Sequence, residues 1–133
     1  IAKWFWEGVK IILLRESSIP RTLKESIAVV VSNANSCNYC TQAHSMLLQL
    51  MGFDEEKIND LKNNFENFPE KEKAVLDYAL KINNSANKTT SADHKILINL
   101  GYDDKQIVEI TSVVAAFNWA NIIADALGTE MEA

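Results

Sequence analysis

The chain has 133 residues, with 18 acidic and 13 basic side chains and a formal net charge of −5. This balance disfavours nucleic acid as a partner, because phosphate binding needs a basic surface stripe. The hydrophobic fraction of 47% predicts a single globular domain over residues 1–133. No run approaches the roughly 18 apolar residues that favour a membrane span. Two cysteines are too few for a secreted disulfide scaffold, so we expect a cytoplasmic protein. Because the chain begins at Ile1 rather than Met, we also expect a missing N-terminal part.

Apolar residues recur at spacings of three and four, and Gly and Pro are scarce, which predicts an all-α fold of six to seven helices. The first helix is expected from Ala2 to Arg15. It is apolar on nearly every side, so we predict that it forms a subunit interface. The second is expected from Arg21 to Ser32, followed by a turn at residues 33–36 that supplies a capping residue. The third is expected from Cys37 to Met51.

Capping signals divide the second half of the chain into four more predicted helices. Asp54 and Pro69 each precede a helix, and residues 90–93 and 103–106 have the pattern of a capping box. The predicted helices end near Asn63, Asn83, Gly101 and Leu127.

The third helix carries the residues with the clearest chemistry. Cys37, Cys40 and His44 lie at positions i, i+3 and i+7, which places them on one helix face. The free N–H groups and the dipole of the first helical turn favour a thiolate there. His44 is one turn beyond Cys40 and can accept its proton, and Glu25 on the preceding helix can orient His44.

Two neighbouring sulfurs predict a redox cycle. A thiolate that attacks a peroxide becomes a sulfenic acid, and a second thiol converts the acid into a disulfide. An external dithiol must then reduce that disulfide. Spacing alone leaves the attacking sulfur open, since Cys40 is closer to His44 and Cys37 is closer to the helix start. We favour Cys40 because His44 is one turn away.

Two simpler readings of the same residues stay open at this point. The cysteines are buried, inert thiols in the first reading. In the second, Cys37, Cys40 and His44 bind a metal together with Glu25 or His94, since zinc accepts all of these ligands. We expect no metal, because three ligands on one helical turn strain a tetrahedral site, and we expect His94 to lie at the surface.

The residues resemble a known family. Leu23-Lys24-Glu25, eleven further residues, Cys37-Asn38-Tyr39-Cys40, three residues and His44 are similar to the motif of the AhpD-like alkylhydroperoxidases, in the carboxymuconolactone decarboxylase superfamily. Two flanking segments, residues 19–21 and the run from Phe117 to Gly128, are similar to its peroxidase-related branch.

This resemblance implies an all-α thiol peroxidase that reduces organic hydroperoxides without haem or flavin. It implies Cys40 as the peroxidatic cysteine, Cys37 as the resolving cysteine, and His44 with Glu25 as the proton relay. Members form trimers, dimers or hexamers, and we expect a homo-oligomer here, a trimer or hexamer. We expect a lipoyl domain or a thioredoxin-like protein as the dithiol reductant.

The sequence departs from the family pattern at two positions. Tyr39 stands where the best-studied members have His, and Ile122 stands where the peroxidase-related branch often has Arg. Two alternative functions follow from the residues and the family: a redox-sensing or interaction protein with a reversible disulfide and no turnover, and a lactone decarboxylase. The decarboxylase members lack the CxxC pair, which disfavours the second alternative.

Overall fold

The computed structural model describes residues 2–128, and this range contains seven α-helices and no β-strand. The all-α prediction is confirmed. Ile1 and residues 129–133 of the predicted domain lie outside the described residues. The helices, in chain order, are α1 Ala2–Val9, α2 Arg21–Ala34, α3 Asn38–Leu50, α4 Glu55–Asn63, α5 Glu70–Ser85, α6 Ser91–Asn99 and α7 Asp104–Ala126.

The helix α2 lies at the centre of the fold and packs against α3, α4, α5 and α7. Its apolar residues Leu23, Ile27, Val30 and Val31 form a buried stripe. Burial goes further than a stripe, because every residue from Leu23 to Ser32 is buried. When a helix is covered on all sides, its polar side chains are buried as well. Glu25 is therefore a buried carboxylate because α2 lies at the centre of the fold.

The two predicted capping boxes are present. At the start of α6, Thr90 and Asp93 bond reciprocally, and at the start of α7, Asp103 and Gln106 do the same. The Gln106 N–H donates to Asp103 Oδ1 over 2.8 Å, and the Asp103 N–H donates to Gln106 Oε1 over 2.9 Å. These bonds satisfy backbone donors that a helix start leaves free, so they fix where each helix begins.

The helix α7 is long and apolar enough to cross a membrane by length and composition alone, with a mean hydropathy of 1.5 over 18 residues. The helix contains no uninterrupted run of 18 apolar residues, because Glu109 and Asn118 lie within it, but the other residues are apolar enough to raise the mean. Its buried side chains pack against α2 and α5, and its Asn121 is hydrogen-bonded in the interior. Those contacts are typical of a core helix.

The first predicted helix is not α-helical throughout. It is α-helical to Val9 and continues as a π-helix from Lys10 to Leu14. The buried Lys24 lies against this wider turn, and its ammonium donates to the carbonyls of Ile12 and Arg15 over 2.9 and 3.4 Å. These bonds provide partners for carbonyls at the end of the helix.

The apolar surface of this first segment is open to solvent in the single chain. Trp4 is 72% exposed and Trp6 is 55% exposed, and Ile11 and Leu14 are exposed beside them. Several large exposed apolar side chains on one short segment make it a candidate interaction site. Oligomerisation through this surface stays a prediction.

Candidate active site

A short loop between α2 and α3 positions the two cysteines. Ser36 has a φ of 58°, and this left-handed residue turns the chain from the end of α2 into α3. The predicted capping position was wrong by one residue, because Cys37 is the N-cap and α3 begins at Asn38. The Cys37 N–H donates to the Ser32 carbonyl over 2.9 Å, and the Cys37 carbonyl accepts from the Thr41 hydroxyl over 2.8 Å. Cys37 is therefore held by its backbone, and Cys40 occupies the first turn of α3.

The two sulfurs lie in one small buried cluster. Cys37 is completely buried and Cys40 is 6% exposed, and both pack with Ala124 of α7. Tyr39 lies partly buried against the same cluster. Both cysteines are free thiols. The CxxC spacing therefore does bring the two residues together, under the last turns of α7.

The prediction that the helix start favours a thiolate was wrong for Cys37. Burial, together with hydrogen bonding to Cys40 and to Asp125, raises the pKa of Cys37 to about 12. The physical reason is position, because an N-cap residue lies at the edge of the helix and its side chain here points into an apolar cluster. A thiol with that pKa stays protonated at neutral pH.

The predicted relay between Glu25 and His44 is present as a contact. His44 Nδ1 lies 2.5 Å from Glu25 Oε2, and the side chains are 15% and 0% exposed. Glu25 also has a longer contact, 3.4 Å, with the guanidinium of Arg21. The Phe117 ring of α7 packs against the His44 ring at 4.7 Å in an edge geometry. Two contacts, one polar and one aromatic, thus fix the imidazole.

This arrangement leaves one imidazole nitrogen for chemistry. Because Nδ1 faces Glu25, Nε2 is the atom available to a group near Cys40, one helical turn away. Within residues 2–128, Glu25 is the hydrogen-bond partner of the His44 side chain, and neither sulfur is bonded to it. Proton transfer between Cys40 and His44 therefore needs a bridging group, such as a water or the substrate itself.

The structure separates His94 from this cluster. His94 is half-buried at the start of α6, and its ring packs against Tyr78 of α5 at 5.9 Å. In the part of the chain that the structure describes, no three His, Cys, Asp or Glu side chains are placed to hold a metal ion. The alternative of a metal site finds no support in this geometry.

Amide side chains on α7 take part in a hydrogen-bond network that the sequence does not predict. Asn121 donates to Ser32 Oγ over 2.9 Å and accepts from Asn35 over 3.0 Å. Asn35 and Asn118 both donate to Asn83 Oδ1, over 3.2 and 3.0 Å. The network joins α5 and α7 to the loop that carries Cys37. The asparagines at positions 118 and 121 were the sequence signal, but their partners are more than 30 residues away and could not be paired by spacing.

Asp125 is a second residue that sequence reasoning did not assign to the site. It was noted only as part of the flanking resemblance, yet its carboxylate is one of the groups that raise the pKa of the Cys37 thiol. It follows Ala124, which lies in the same buried cluster as the two cysteines. No short-range motif links position 125 to position 37, so this effect could not be predicted from the sequence.

Comparison with known proteins identifies the family. Residues 2–64 match the model of the carboxymuconolactone decarboxylase family. The chain is 30% identical to the uncharacterized protein YdfG of Bacillus subtilis strain 168. The alignment spans 129 residues, which are 92% of this chain and 88% of YdfG. This chain belongs to the AhpD/carboxymuconolactone decarboxylase superfamily.

Solved structures of the superfamily share the fold over nearly the whole chain. A peroxidase-related protein from Silicibacter sp. TM1040 is 29% identical, with a TM-score of 0.92. The superposition covers 98% of this chain and 70% of that protein's chain. An AhpD-core, peroxidase-related protein from Ralstonia eutropha JMP134 is 25% identical, with the same TM-score and the same coverage. Members of the superfamily are peroxidase-related or decarboxylase-like enzymes. The similarity thus indicates a peroxidase-related role for this AhpD-superfamily chain.

Proposed function

We propose that this protein is a thiol-dependent peroxidase that reduces organic hydroperoxides through a dithiol–disulfide cycle of Cys40 and Cys37. One observation carries the proposal: the buried Glu25 carboxylate holds the imidazole of His44, one turn beyond Cys40, with a second thiol packed beside the first. A buried carboxylate, an oriented histidine and a nearby thiol together form the arrangement that activates a nucleophile.

Two properties favour Cys40 as the attacking residue. It retains 6% exposure where Cys37 has none, so a small peroxide reaches it first. It also lies inside the first helical turn, whereas the Cys37 thiol is held protonated by burial. Cys37 then acts as the resolving thiol, because it is adjacent and unreactive toward peroxide by itself.

The reaction divides into two steps. In the first, His44 takes the Cys40 proton through a bridging water or the peroxide, and the thiolate attacks the hydroperoxide oxygen. The O–O bond breaks, the alkoxide takes the proton back from His44, and Cys40 becomes a sulfenic acid. Glu25 stabilises the transient imidazolium and keeps its orientation. In the second step, the Cys37 sulfur attacks the Cys40 sulfur and displaces hydroxide. The hydroxide leaves as water, and the disulfide forms.

The surroundings of the sulfurs suit an organic peroxide. Ala124 and Tyr39 cover the cysteines, and Phe117 lies beside His44, so the groups nearest the reacting atoms are largely apolar. An alkyl substituent gains free energy from contact with such surfaces. This is our reason for proposing alkyl hydroperoxides over hydrogen peroxide as the preferred substrates.

We also propose a reductant, an oligomeric state and a cellular location for this protein. The cycle uses no resident cofactor and takes its electrons from an external dithiol, such as a lipoyl domain or a thioredoxin-like protein. We propose a cytoplasmic homo-oligomer, a trimer or hexamer, that acts in antioxidant defence without nucleic acid or membrane partners. The exposed apolar surface around Trp4 and Trp6 supports the oligomer.

The test measures consumption of cumene hydroperoxide with a dithiol present. Cys40→Ser should abolish turnover. Cys37→Ser is the matched control, the same substitution three residues away, and should give one equivalent of sulfenic acid that a dimedone-type reagent traps. Normal turnover by Cys40→Ser, or no peroxide consumption by the natural chain, would contradict the proposal.

The low exposure of both cysteines favours a second candidate function, a redox-sensing or interaction protein without turnover. The same assay separates the two. A disulfide that forms reversibly, with negligible consumption of several hydroperoxides, would support the sensor and exclude the peroxidase.

A further inference from the structure

Asn121 of α7 holds the segment that leads into Cys37. Its side chain is buried and makes two hydrogen bonds to that segment. The amide nitrogen donates to the Ser32 hydroxyl over 2.9 Å, and the amide oxygen accepts from the Asn35 side chain over 3.0 Å. The Cys37 N–H in turn donates to the Ser32 carbonyl over 2.9 Å. Both partners of Asn121 therefore lie just before the Cys37 thiol in the chain.

Asn83 of α5 bonds to the same segment. Asn35 and Asn83 form a reciprocal amide pair, in which Asn35 donates over 3.2 Å and Asn83 donates over 2.9 Å. Together with its bond to Asn121, the Asn35 side chain makes three hydrogen bonds to two helices. The loop between α2 and α3 is thus bonded to α5 and α7 at once.

The conformation of this loop depends on such contacts. Ser36 has a φ of 58°, a left-handed conformation that serine rarely adopts and that surrounding contacts must maintain. Asn35 precedes it and is held by its amide bonds. Cys37 follows it and packs with Cys40 and with Ala124, which lies on the same face of α7 as Asn121. The helix that bonds to the loop therefore also packs against the two cysteines.

We propose that Asn121 is a positioning residue that holds Cys37 beside Cys40 for disulfide formation. This inference rests on the proposed dithiol cycle. In the resolving step the Cys37 sulfur forms a bond to the Cys40 sulfur, and the S–O bond of the sulfenic acid breaks. The departing hydroxide takes up the proton of the Cys37 thiol and leaves as water. The bonds of Asn121 keep the loop in the conformation that brings the two thiols together before a peroxide arrives, and such preorganisation accelerates a reaction between two groups of one chain.

The same bonds affect the stability of the disulfide. A disulfide restricts the chain, and the entropy lost on closing it is smaller when the loop is already ordered. Without the bonds of Asn121, the reduced loop has more conformations to lose. Disulfide formation should then be slower, and the disulfide should be easier to reduce. A general loss of stability predicts neither effect, because it leaves the conformation of the folded loop unchanged.

The experiment measures disulfide formation without peroxide. Attack of Cys40 on 2,2′-dithiodipyridine releases one thiopyridone and leaves a mixed disulfide on the protein. Attack of Cys37 on that mixed disulfide releases the second thiopyridone, so stopped-flow absorbance reports the two cysteines as separate phases. A titration with reduced and oxidised dithiothreitol, followed by alkylation of the free thiols and mass spectrometry, gives the reduction potential of the pair.

Asn121→Leu nearly keeps the size of the side chain and removes both bonds. It should slow the second phase by about tenfold and leave the first phase within about twofold. It should also lower the equilibrium constant for disulfide formation by about tenfold, which raises the reduction potential by about 30 mV. Asn35→Ala removes the amide on the loop itself and should have the same effects, so it tests the proposal even if Asn121→Leu does not fold.

Asn118→Leu is the matched control. It is the same substitution on the same helix, and it removes an amide that bonds to Asn83 and not to the loop. The second phase of this variant should stay within about twofold of the natural rate, and its reduction potential should not change. Circular dichroism verifies that each variant is folded.

Three results would overturn the inference: a natural second phase and potential in folded Asn121→Leu or Asn35→Ala, an equal effect of Asn118→Leu, or no second phase in the natural chain. A failure of the proposed function looks different, because the natural chain would then show both phases with dithiodipyridine and consume no hydroperoxide.

Discussion

Replacing Glu25 with Gln removes one negative charge from the interior while keeping the size of the side chain. Glu25 is completely buried, and its Oε2 lies 2.5 Å from His44 Nδ1. A hydrogen bond to a charged group contributes about 1.5–3 kcal/mol, roughly twice that of a neutral bond. In the proposed mechanism the bond is strongest when His44 carries a proton, so the loss falls mainly on the transition state.

The magnitude follows from the loss of the whole contribution of the charged bond, about 1.5–3 kcal/mol. Because about 1.4 kcal/mol corresponds to a factor of ten in rate, Glu25→Gln should lower kcat/KM by about tenfold to hundredfold. The assay is dithiol-dependent consumption of cumene hydroperoxide, with circular dichroism to verify that the helices are intact. The decrease should appear in kcat/KM and in the single-turnover rate of Cys40 oxidation, since His44 acts in that step.

Two further variants make this prediction specific. Arg21→Gln removes the weaker 3.4 Å contact to Glu25 from a side chain that is 43% exposed, so its effect should stay below about fivefold. Glu56→Gln changes an exposed glutamate on α4 and should leave the rate unchanged. A folded Glu25→Gln variant with the natural rate would refute the role of the Glu25–His44 pair.

Three other predictions follow from the structure. With iodoacetamide at pH 8, Cys40 should be alkylated well before Cys37, because the pKa of about 12 keeps the Cys37 thiol protonated. Peptide mass spectrometry measures the order of alkylation, and equal rates for the two cysteines would contradict this prediction. Lys24→Met should lower the free energy of unfolding by about 3 kcal/mol and Tm by about 10 °C, whereas the exposed Lys105→Met should change neither much. Light scattering should show an oligomer, and a monomer with α1 intact would exclude the predicted interface.

The Lys24 variant also has a predicted pH dependence. Burial raises the pKa of Glu109, but hydrogen bonds from Lys24 and Ser17 outweigh it, so the pKa lies below its ordinary value. A lowered pKa in the folded state contributes stability at neutral pH that is lost as the pH falls through that pKa. The stability difference between the natural chain and Lys24→Met should therefore shrink in acid, and denaturant unfolding at two pH values measures it.

Much of the fold could be predicted because its signals are local. Each of the predicted helices after the first begins within two residues of its predicted start, and Asp103 and Thr90 act as the sequence indicated. The i and i+3 spacing likewise predicted that Cys37 and Cys40 lie in one cluster. These features depend on interactions within a few residues, which a pattern in one sequence records.

The remaining features depend on tertiary contacts. Lys24 follows a leucine on a helix whose sequence would also suit the protein surface. Because α2 is covered on all sides, the Lys24 ammonium is buried. Its partner there is Glu109, 2.7 Å away. The pKa of Cys37 likewise depends on Ala124 and Asp125, almost 90 residues further along the chain. Burial of this kind is decided by which helices meet, and helical spacing does not encode that.

The helix α7 lies between the apolar N-terminal segment and His44. Trp119 packs against Trp4 and Phe5, with ring centroids 5.3 and 4.5 Å apart, while Phe117, two residues earlier, packs against His44. Two residues are about 200° apart on a helix, so these contacts lie on opposite sides of α7. Rotation of α7 about its long axis would move both contacts together. A subunit that associated at Trp4 would therefore contact the same helix that holds the ring of His44.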